Sequence, residues 1–172
     1  MRMVIKLINL MRIAGKGVDK FNKQQQTPLH LAVKLDFLPA VDILIKSGAS
    51  INAVDCTGSS SIHMAVQGRS TKCLQMLLER CQEAELNTRN FDGLTPLHTA
   101  VDNGDLEQVE LLLKYGAEID VTDGKSGRTC LFHAAESNEK PMVELLLRHG
   151  ANPDVPNYAG VTTAMAAQGR NL

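Results

Sequence analysis

The sequence predicts an all-α solenoid: stacked helix-turn-helix units with β-hairpin fingers, four full repeats and a half repeat at each end. Two observations carry this. TPLH at Thr27–His30 returns at Thr95–His98, with SSIH at Ser60–His63 between them and TCLF (129–132) and TTAM (162–165) after, so that Thr27, Ser60, Thr95, Thr129 and Thr162 open successive units at a near-constant interval. A second motif keeps phase: SGA, YGA and HGA place Gly48, Gly116 and Gly150 at one and the same distance from Thr27, Thr95 and Thr129. Two motifs in register at a single period mark a repeat array, in which neighbours share one continuous core.

Each unit can be justified in order. Thr27 or Thr95 accepts from free N–H groups at a helix start, and Pro28 or Pro96 suits the first helical position. Leu29, Ala32 and Val33 then form one apolar face at helical spacing. Asp36, Gly104 and Asn138 share the tenth position of their repeats and tolerate a left-handed turn; Arg69 is the misfit there. A second helix follows, as in LEQVELLLKYG (106–116), and ends at glycine. An extended finger then leads to the next repeat. The second repeat has Cys81 in place of the glycine and two extra residues before Asn87. The whole chain, 1–172, is expected to be a single domain: partial repeat and finger 1–26, full repeats 27–59, 60–94, 95–128 and 129–161, and partial repeat 162–172. Residues 3–13 read as a second helix without a first, and 162–170 as a first helix without a second, so each end offers a face for a partner or a second copy. Fraying is expected beyond Thr162.

Composition narrows the function classes. The chain is 44% apolar and 22% charged with a net charge of −1, which gives no bulk attraction to nucleic acid or membrane. Residues 1–86 carry +4 and residues 87–172 carry −5. The four cysteines, Cys56, Cys73, Cys81 and Cys130, lack CxxC spacing, so reduced thiols are expected rather than a zinc site. The N-terminal run MRMVIKLINLMRIAGKG is interrupted by Lys6 and Asn9 and is too short to span a bilayer.

The repeat frame places the candidate sites. GKSGRT (124–129) resembles a phosphate loop, but the order of residues is wrong and the first glycine is absent. It reads as a bulged fingertip, either a solvated turn or a partner contact. His30, His63 and His98 recur once per unit, about 10 Å apart for packed elements, too far for one metal ion; hydrogen bonding within the turn is their expected job. His133 is shifted by one place, with Phe132 at the usual His position, and is expected to face the groove beside Glu136. The groove is expected to present Leu31, Met64, Thr99 and His133, then Lys34, Gln67, Asp102 and Glu136, running from basic to acidic. Phe21, Phe91 and Tyr158 fall on fingers, where exposed aromatics favour binding unless they fold back on their own hairpins. No catalytic, metal or cofactor site is expected, because no acid, base and nucleophile converge.

The pattern TPLHxA, then LLLxxGA, then Asn or Asp resembles the ankyrin repeat over nearly the whole chain. LNTRNFDGLTPLHTAV (86–101), DVTDGKSGRTCLFHAAE (120–136) and NYAGVTTAMA (157–166) resemble the IκB family, in its insect Cactus type and its nuclear B-cell-lymphoma type. LINLMRIAGKGVDKFNKQQQTPLHLAV (7–33) fits the nuclear type. The resemblance implies a non-enzymatic regulator that lays its groove and fingers against an NF-κB/Rel dimer, without direct contact to nucleic acid or membrane, in the cytoplasm and/or nucleus. Carried over by position, the contact residues are Arg89, Phe91, Asp92, Lys125, Ser126, Arg128, Asn157 and Tyr158, joined by His133 and Glu136 in the groove. It also implies asparagine hydroxylation at Asn52 and Asn87; the alternative is that Asn or Asp there serves the turn. No DSGxxS motif precedes the repeats and no acidic, proline-rich tail follows them. Residues 1–34 carry +6, a charge that would repel a basic import signal. Those departures fit a nuclear cofactor, or a short decoy such as the truncated IκB mimics some viruses encode. A monomer is expected for the chain alone. The alternative reading is a general ankyrin adaptor for an unrelated protein.

Overall fold

The computed structural model describes residues 17–81 and 86–168, which fall in two compact units, Met1–Gln82 and Glu83–Leu172. The expected second helix over 3–13 and the insertion before Asn87 lie outside the described residues. Past Thr162, where fraying is expected, Thr163–Gln168 form a helix instead, and residues 169–172 lie outside the described residues.

The first unit holds α1 (Pro28–Lys34), α2 (Leu38–Lys46), α3 (Ser61–Gln67) and α4 (Thr71–Leu78). Each first helix opens on a capping box. The Thr27 hydroxyl accepts from the His30 N–H, while the Thr27 N–H donates to His30 Nδ1 at 3.1 Å. Ser60 and His63 repeat this arrangement. Such a cap is worth about 1 kcal/mol. Since Nδ1 accepts, the His30 proton sits on Nε2 and donates to the Ser59 carbonyl at 3.2 Å, tying one repeat to the next finger. His30 thus reaches beyond its own turn. α1 packs on α2 and α3, and α4 on α2 and α3, burying Leu29, Val41, Ile62, Leu74 and Leu77 completely.

The second unit holds α5 (Pro96–Asp102), α6 (Leu106–Lys114), α7 (Cys130–Glu136), α8 (Lys140–Arg148) and α9 (Thr163–Gln168). Its core is Leu97, Val109, Leu112, Leu131, Met142 and Leu146. His98 bridges Thr95 and the Arg128 carbonyl as His30 bridges Thr27 and Ser59.

Turns between paired helices are left-handed at Asp36 (φ 49°), Arg69 (52°), Gly104 (67°) and Asn138 (56°). Arg69 therefore adopts the conformation of its three counterparts despite its Cβ. The GA motif closes the second helices. The N–H groups of Ala49, Ala117 and Ala151 reach back to the carbonyls of Leu44, Leu112 and Leu146, around glycines at φ of 83°, 93° and 88°. Cys81 replaces that closure with an N–H bond to Leu77 and a thiol contact to the Leu78 carbonyl. The fingers are less extended than expected: the described residues form isolated antiparallel bridges, Val54 with Ser60 and Thr122 with Thr129, rather than paired strands. No described helix is long and apolar enough to cross a membrane.

Candidate protein-binding fingertips

A side-chain amide or carboxylate at the base of each fingertip folds it. Asn22 accepts from the N–H groups of Gln24 and Gln26, Asp55 from Thr57 and Ser59, Asn90 from Leu94, and Asn157 from Ala159 and Val161. In the bulged tip Asp123 does this for Lys125, Ser126 and Gly127 and also receives the Ser126 hydroxyl. GKSG is therefore architecture: the Lys125, Ser126 and Gly127 amides point at Asp123 and the Gly124 amide at the Gly93 carbonyl, not outward at a phosphate. Burial opposes the Asp123 charge, but the Ser126, His133 and Lys125 bonds hold its carboxyl well below the usual range. Four of the five tips place glycine at the left-handed position (Gly58, Gly93, Gly127, Gly160); the first uses Gln25 at φ 56°.

In the second unit neighbouring tips are cross-tied. Arg89 donates Nε and Nη2 to the Thr122 carbonyl at 3.0 and 2.7 Å. The Gly124 N–H donates to the Gly93 carbonyl at 2.8 Å. A Cβ on Gly93 would lie 2.9 Å from Gly124 backbone, so this approach requires glycine. Lys125 Nζ pairs with Asp92 Oδ1 at 2.8 Å, and the Tyr158 N–H donates to the Ser126 carbonyl at 3.0 Å. The tips are ordered before any partner arrives, which lowers the conformational cost of binding.

The aromatics behave differently from one another. Phe91 is 74% exposed. Tyr158 is 70% exposed, yet one ring face lies against Gly127, where a Cβ would meet it at 2.5 Å. It folds onto the neighbouring tip rather than its own. Phe21 is exposed on the first unit's tip.

At the groove, Leu31 is exposed and Met64 half-buried, but Thr99 is turned inward, 9% exposed with its hydroxyl on the Thr95 carbonyl. His133 does not partner Glu136. Its Nδ1 lies 3.0 Å from Asp102 and its Nε2 3.1 Å from Asp123, and its ring meets His98 edge-on at 5.3 Å. Glu136 instead pairs with Arg128 at 2.9 Å, whose guanidinium covers Phe132 at 5.1 Å. Phe132 at the usual His position leaves the Arg128 side chain a ring to stack on. Ser126, Asp123 and His133 do not form a nucleophilic triad: the carboxylate sits between hydroxyl and imidazole, so the ring cannot take the serine proton. Among the described residues no group of three metal-binding side chains gathers.

Asn87 accepts from the Glu118 N–H and donates to the Glu118 carboxylate, both at 3.0 Å. Asp19 and Asp120 accept from Ser50 and Asn152 in the same way. This position ties successive repeats rather than folding its own turn. The fingertip Asx residues Asn22, Asp55, Asn90 and Asn157 had a readable signal, since each stands five residues before the helix cap of the next repeat; Asp123, six before Thr129 in the bulged tip, is out of that phase. The Asp102–His133–Asp123 bridge had none, because it joins a helix end to a finger across one repeat.

The family described as ankyrin repeats (3 copies) matches residues 3–90 and 62–157. The chain is 44% identical over 171 residues to the B-cell lymphoma 3 protein homolog of Mus musculus, covering 98% of this chain and 38% of that protein. It is 39% identical over 120 residues to the NF-kappa-B inhibitor epsilon of Homo sapiens, 65% of this chain and 24% of that one. The chain thus spans less than two-fifths of these relatives' length. The solved ankyrin repeat domain of Bcl-3, a unique member of the IkappaB protein family, superposes with a TM-score of 0.91 at 44% identity, covering 96% of this chain and 74% of that one. Repeat period, capping, GA closure and these similarities together place the chain in the ankyrin-repeat family, with repeats that resemble those of the IκB proteins.

Proposed function

We propose that the chain is a non-enzymatic regulator of NF-κB/Rel transcription factors that binds a Rel dimer through its fingertips and groove. The observation that carries this reading is the similarity to B-cell lymphoma 3 protein along nearly the full chain, fingertips included. The cross-tied tips supply the physical means: Phe91 is an exposed anchor on a rigid support, flanked by the Lys125–Asp92 pair and Arg89. Ser126, Arg128, Asn157, Tyr158, His133 and Glu136 complete the proposed contact surface. Asn52 and Asn87 are proposed hydroxylation positions, and 1–172 is proposed as one domain with the repeat boundaries given above. The chain is proposed to act in the cytoplasm and/or nucleus, contacting protein alone. The +6 charge of residues 1–34 favours a mode that leaves a basic import signal unmasked.

Size-exclusion chromatography with light scattering tests the reading with the chain, a Rel dimer and that dimer on its DNA. A binary complex that excludes DNA identifies a sequestering inhibitor or decoy; a ternary complex identifies a cofactor. Absence of both at micromolar concentrations overturns the proposal in favour of an adaptor for another protein.

A further inference from the structure

The residues proposed to contact a Rel dimer all lie in the second unit, while the first unit has an exposed surface of its own on α1. Leu29, His30, Ala32 and Val33 are buried there. Leu31, Lys34 and Leu35, three and four residues apart, share the other face and are exposed. Leu35 is 76% exposed, as much as Phe91 at its tip, and Leu31 is 40% exposed. The second unit shows where such positions look. His133 follows its cap as Leu31 follows Thr27, and it touches the base of a fingertip at Asp123. Glu136 follows its cap as Lys34 does, and it pairs with Arg128 at the foot of that tip. Leu31 and Lys34 therefore lie on the floor of the groove beside the first fingertip. On α3, which packs on α1, the same two positions are Met64, half-buried, and Gln67, exposed.

The charge of this surface is one-sided. Each acid between Gly17 and Asp55 is already engaged within the chain. Asp19 accepts from the Ser50 N–H and Asp36 from the Cys73 thiol. Asp42 pairs with Lys46, and Asp55 folds its fingertip. Lys20, Lys23 and Lys34 are exposed and have no ion pair among the described residues. Lys34 shares its face with the two exposed leucines, and Lys23 follows Asn22 at its tip as Phe91 follows Asn90. Where the first unit has Lys34, the second has Asp102 and Glu136. Exposed apolar side chains beside unpaired cations are complementary to carboxylates carried among apolar residues, and they disfavour a basic segment.

Spacing selects the shape of the partner. Packed helices lie about 10 Å apart, so Leu31 and Met64 offer apolar contacts at about that interval. In a helix, residues seven apart share a face and are separated by about 10 Å. In a strand, residues on one face recur at about 7 and about 13 Å, and both miss the interval. We propose that Leu31, Lys34, Leu35 and Met64 bind an acidic amphipathic helix of a partner protein, its apolar face on the leucines and its carboxylates on Lys34 and Lys23. None of these residues is assigned to the Rel dimer, so this surface stands or falls independently of that reading.

Fluorescence anisotropy of a labelled synthetic helix tests this on the full chain. The probe is a peptide of two heptads with leucine at the first and fourth positions of each and glutamate or alanine elsewhere. A twin carries lysine in place of every glutamate. The chain is expected to bind the acidic peptide with a Kd on the order of tens of micromolar, about tenfold more tightly than the twin, and more weakly as salt rises. Lys34→Glu should weaken binding about tenfold and Leu35→Ser about fivefold, both at the wild-type melting temperature because both side chains are exposed. Phe91→Ala with Lys125→Glu should leave peptide binding unchanged. Amide chemical shifts of the wild-type chain locate the peptide without any variant: the signals of residues 31–35 and 64 should move. Absence of binding at hundreds of micromolar overturns the proposal. So does equal affinity for the lysine twin, undiminished binding by Lys34→Glu, or shifts confined to the second unit.

Discussion

The imidazole of His133 lies between Asp123 and Asp102, with Nε2 3.1 Å from one carboxylate and Nδ1 3.0 Å from the other. A residue on α7 thereby fixes a fingertip and the end of α5 at once. Asp123 receives this bond together with those from Lys125, Ser126 and Gly127. Replacing it with alanine leaves several partly buried donors unmet. Asp123→Ala is expected to destabilise the second unit by about 2–4 kcal/mol. Hydrogen exchange provides the check: the amides of residues 125–127 should lose protection, while Asp55→Ala should affect only its own tip.

Neighbouring histidines in this unit titrate in opposite senses. Burial holds His98 at about 4, below the ordinary 6.5. Between those values the unfolded chain binds a proton that the folded chain refuses, so stability rises with pH. For His133 burial also opposes charge, but the Asp102 and Asp123 bonds prevail and raise its pKa above 6.5. That contribution is fully present below 6.5 and is lost as pH rises through the folded value. Urea midpoints should climb from about pH 4.5 to a maximum near 6.5 and then decline. His133→Gln should remove the alkaline decline and keep the acid limb; an unchanged profile would refute the bridge.

Gln25 and Gly127 occupy one structural position with opposite tolerance. Gln25 holds φ 56° without glycine and is exposed. Gln25→Gly is expected to stabilise the first unit by about 0.5–1 kcal/mol, the left-handed penalty outweighing glycine's entropy. Gly127→Ala puts a methyl into the Tyr158 ring and should cost about 1–3 kcal/mol. Thermal melts of both variants decide the point; a stabilised Gly127→Ala would show that Tyr158 does not rest there.

Gln108 is fully buried on α6, and neither polar atom of its amide has a partner among the described residues. Its counterparts in the other full repeats are Ala40, Cys73 and Met142, all buried. Gln108→Met keeps the volume and removes the unmet amide. An increase in stability of about 1–2 kcal/mol is expected by urea titration; a loss would mean that the amide is bonded.

Much of the fold was legible because each repeat restates the same local rules. The Thr27 and Thr95 caps, the left-handed turn at Gly104 and the GA closure at Gly116 depend on residues a few positions apart. Arg69 shows the limit of that reasoning. It was the misfit by propensity, yet the stacked helices on either side impose φ 52°. The candidate site was legible at Phe91, whose exposure follows from its place at a tip. It was not legible at His133, where residues of the neighbouring repeat decide which way the side chain turns, or at Thr99, whose hydroxyl turns back onto the Thr95 carbonyl of its own repeat. Asp123 was hidden for another reason: a motif read as GKSG directs attention to the lysine, whereas the residue before it organises the loop.

The central claim is that the second unit's fingertips are a preformed surface for a Rel dimer. The most direct measurement is the affinity of wild type and of Phe91→Ala with Lys125→Glu for one Rel dimer, alongside their melting temperatures. Phe91 is 74% exposed, and the Lys125 ammonium pairs with Asp92 at the surface, so folding should be preserved. The account predicts a loss of at least about 30-fold in affinity, as for a binding hot spot of about 2 kcal/mol, at unchanged melting temperature. Equal affinity of the two proteins would contradict it.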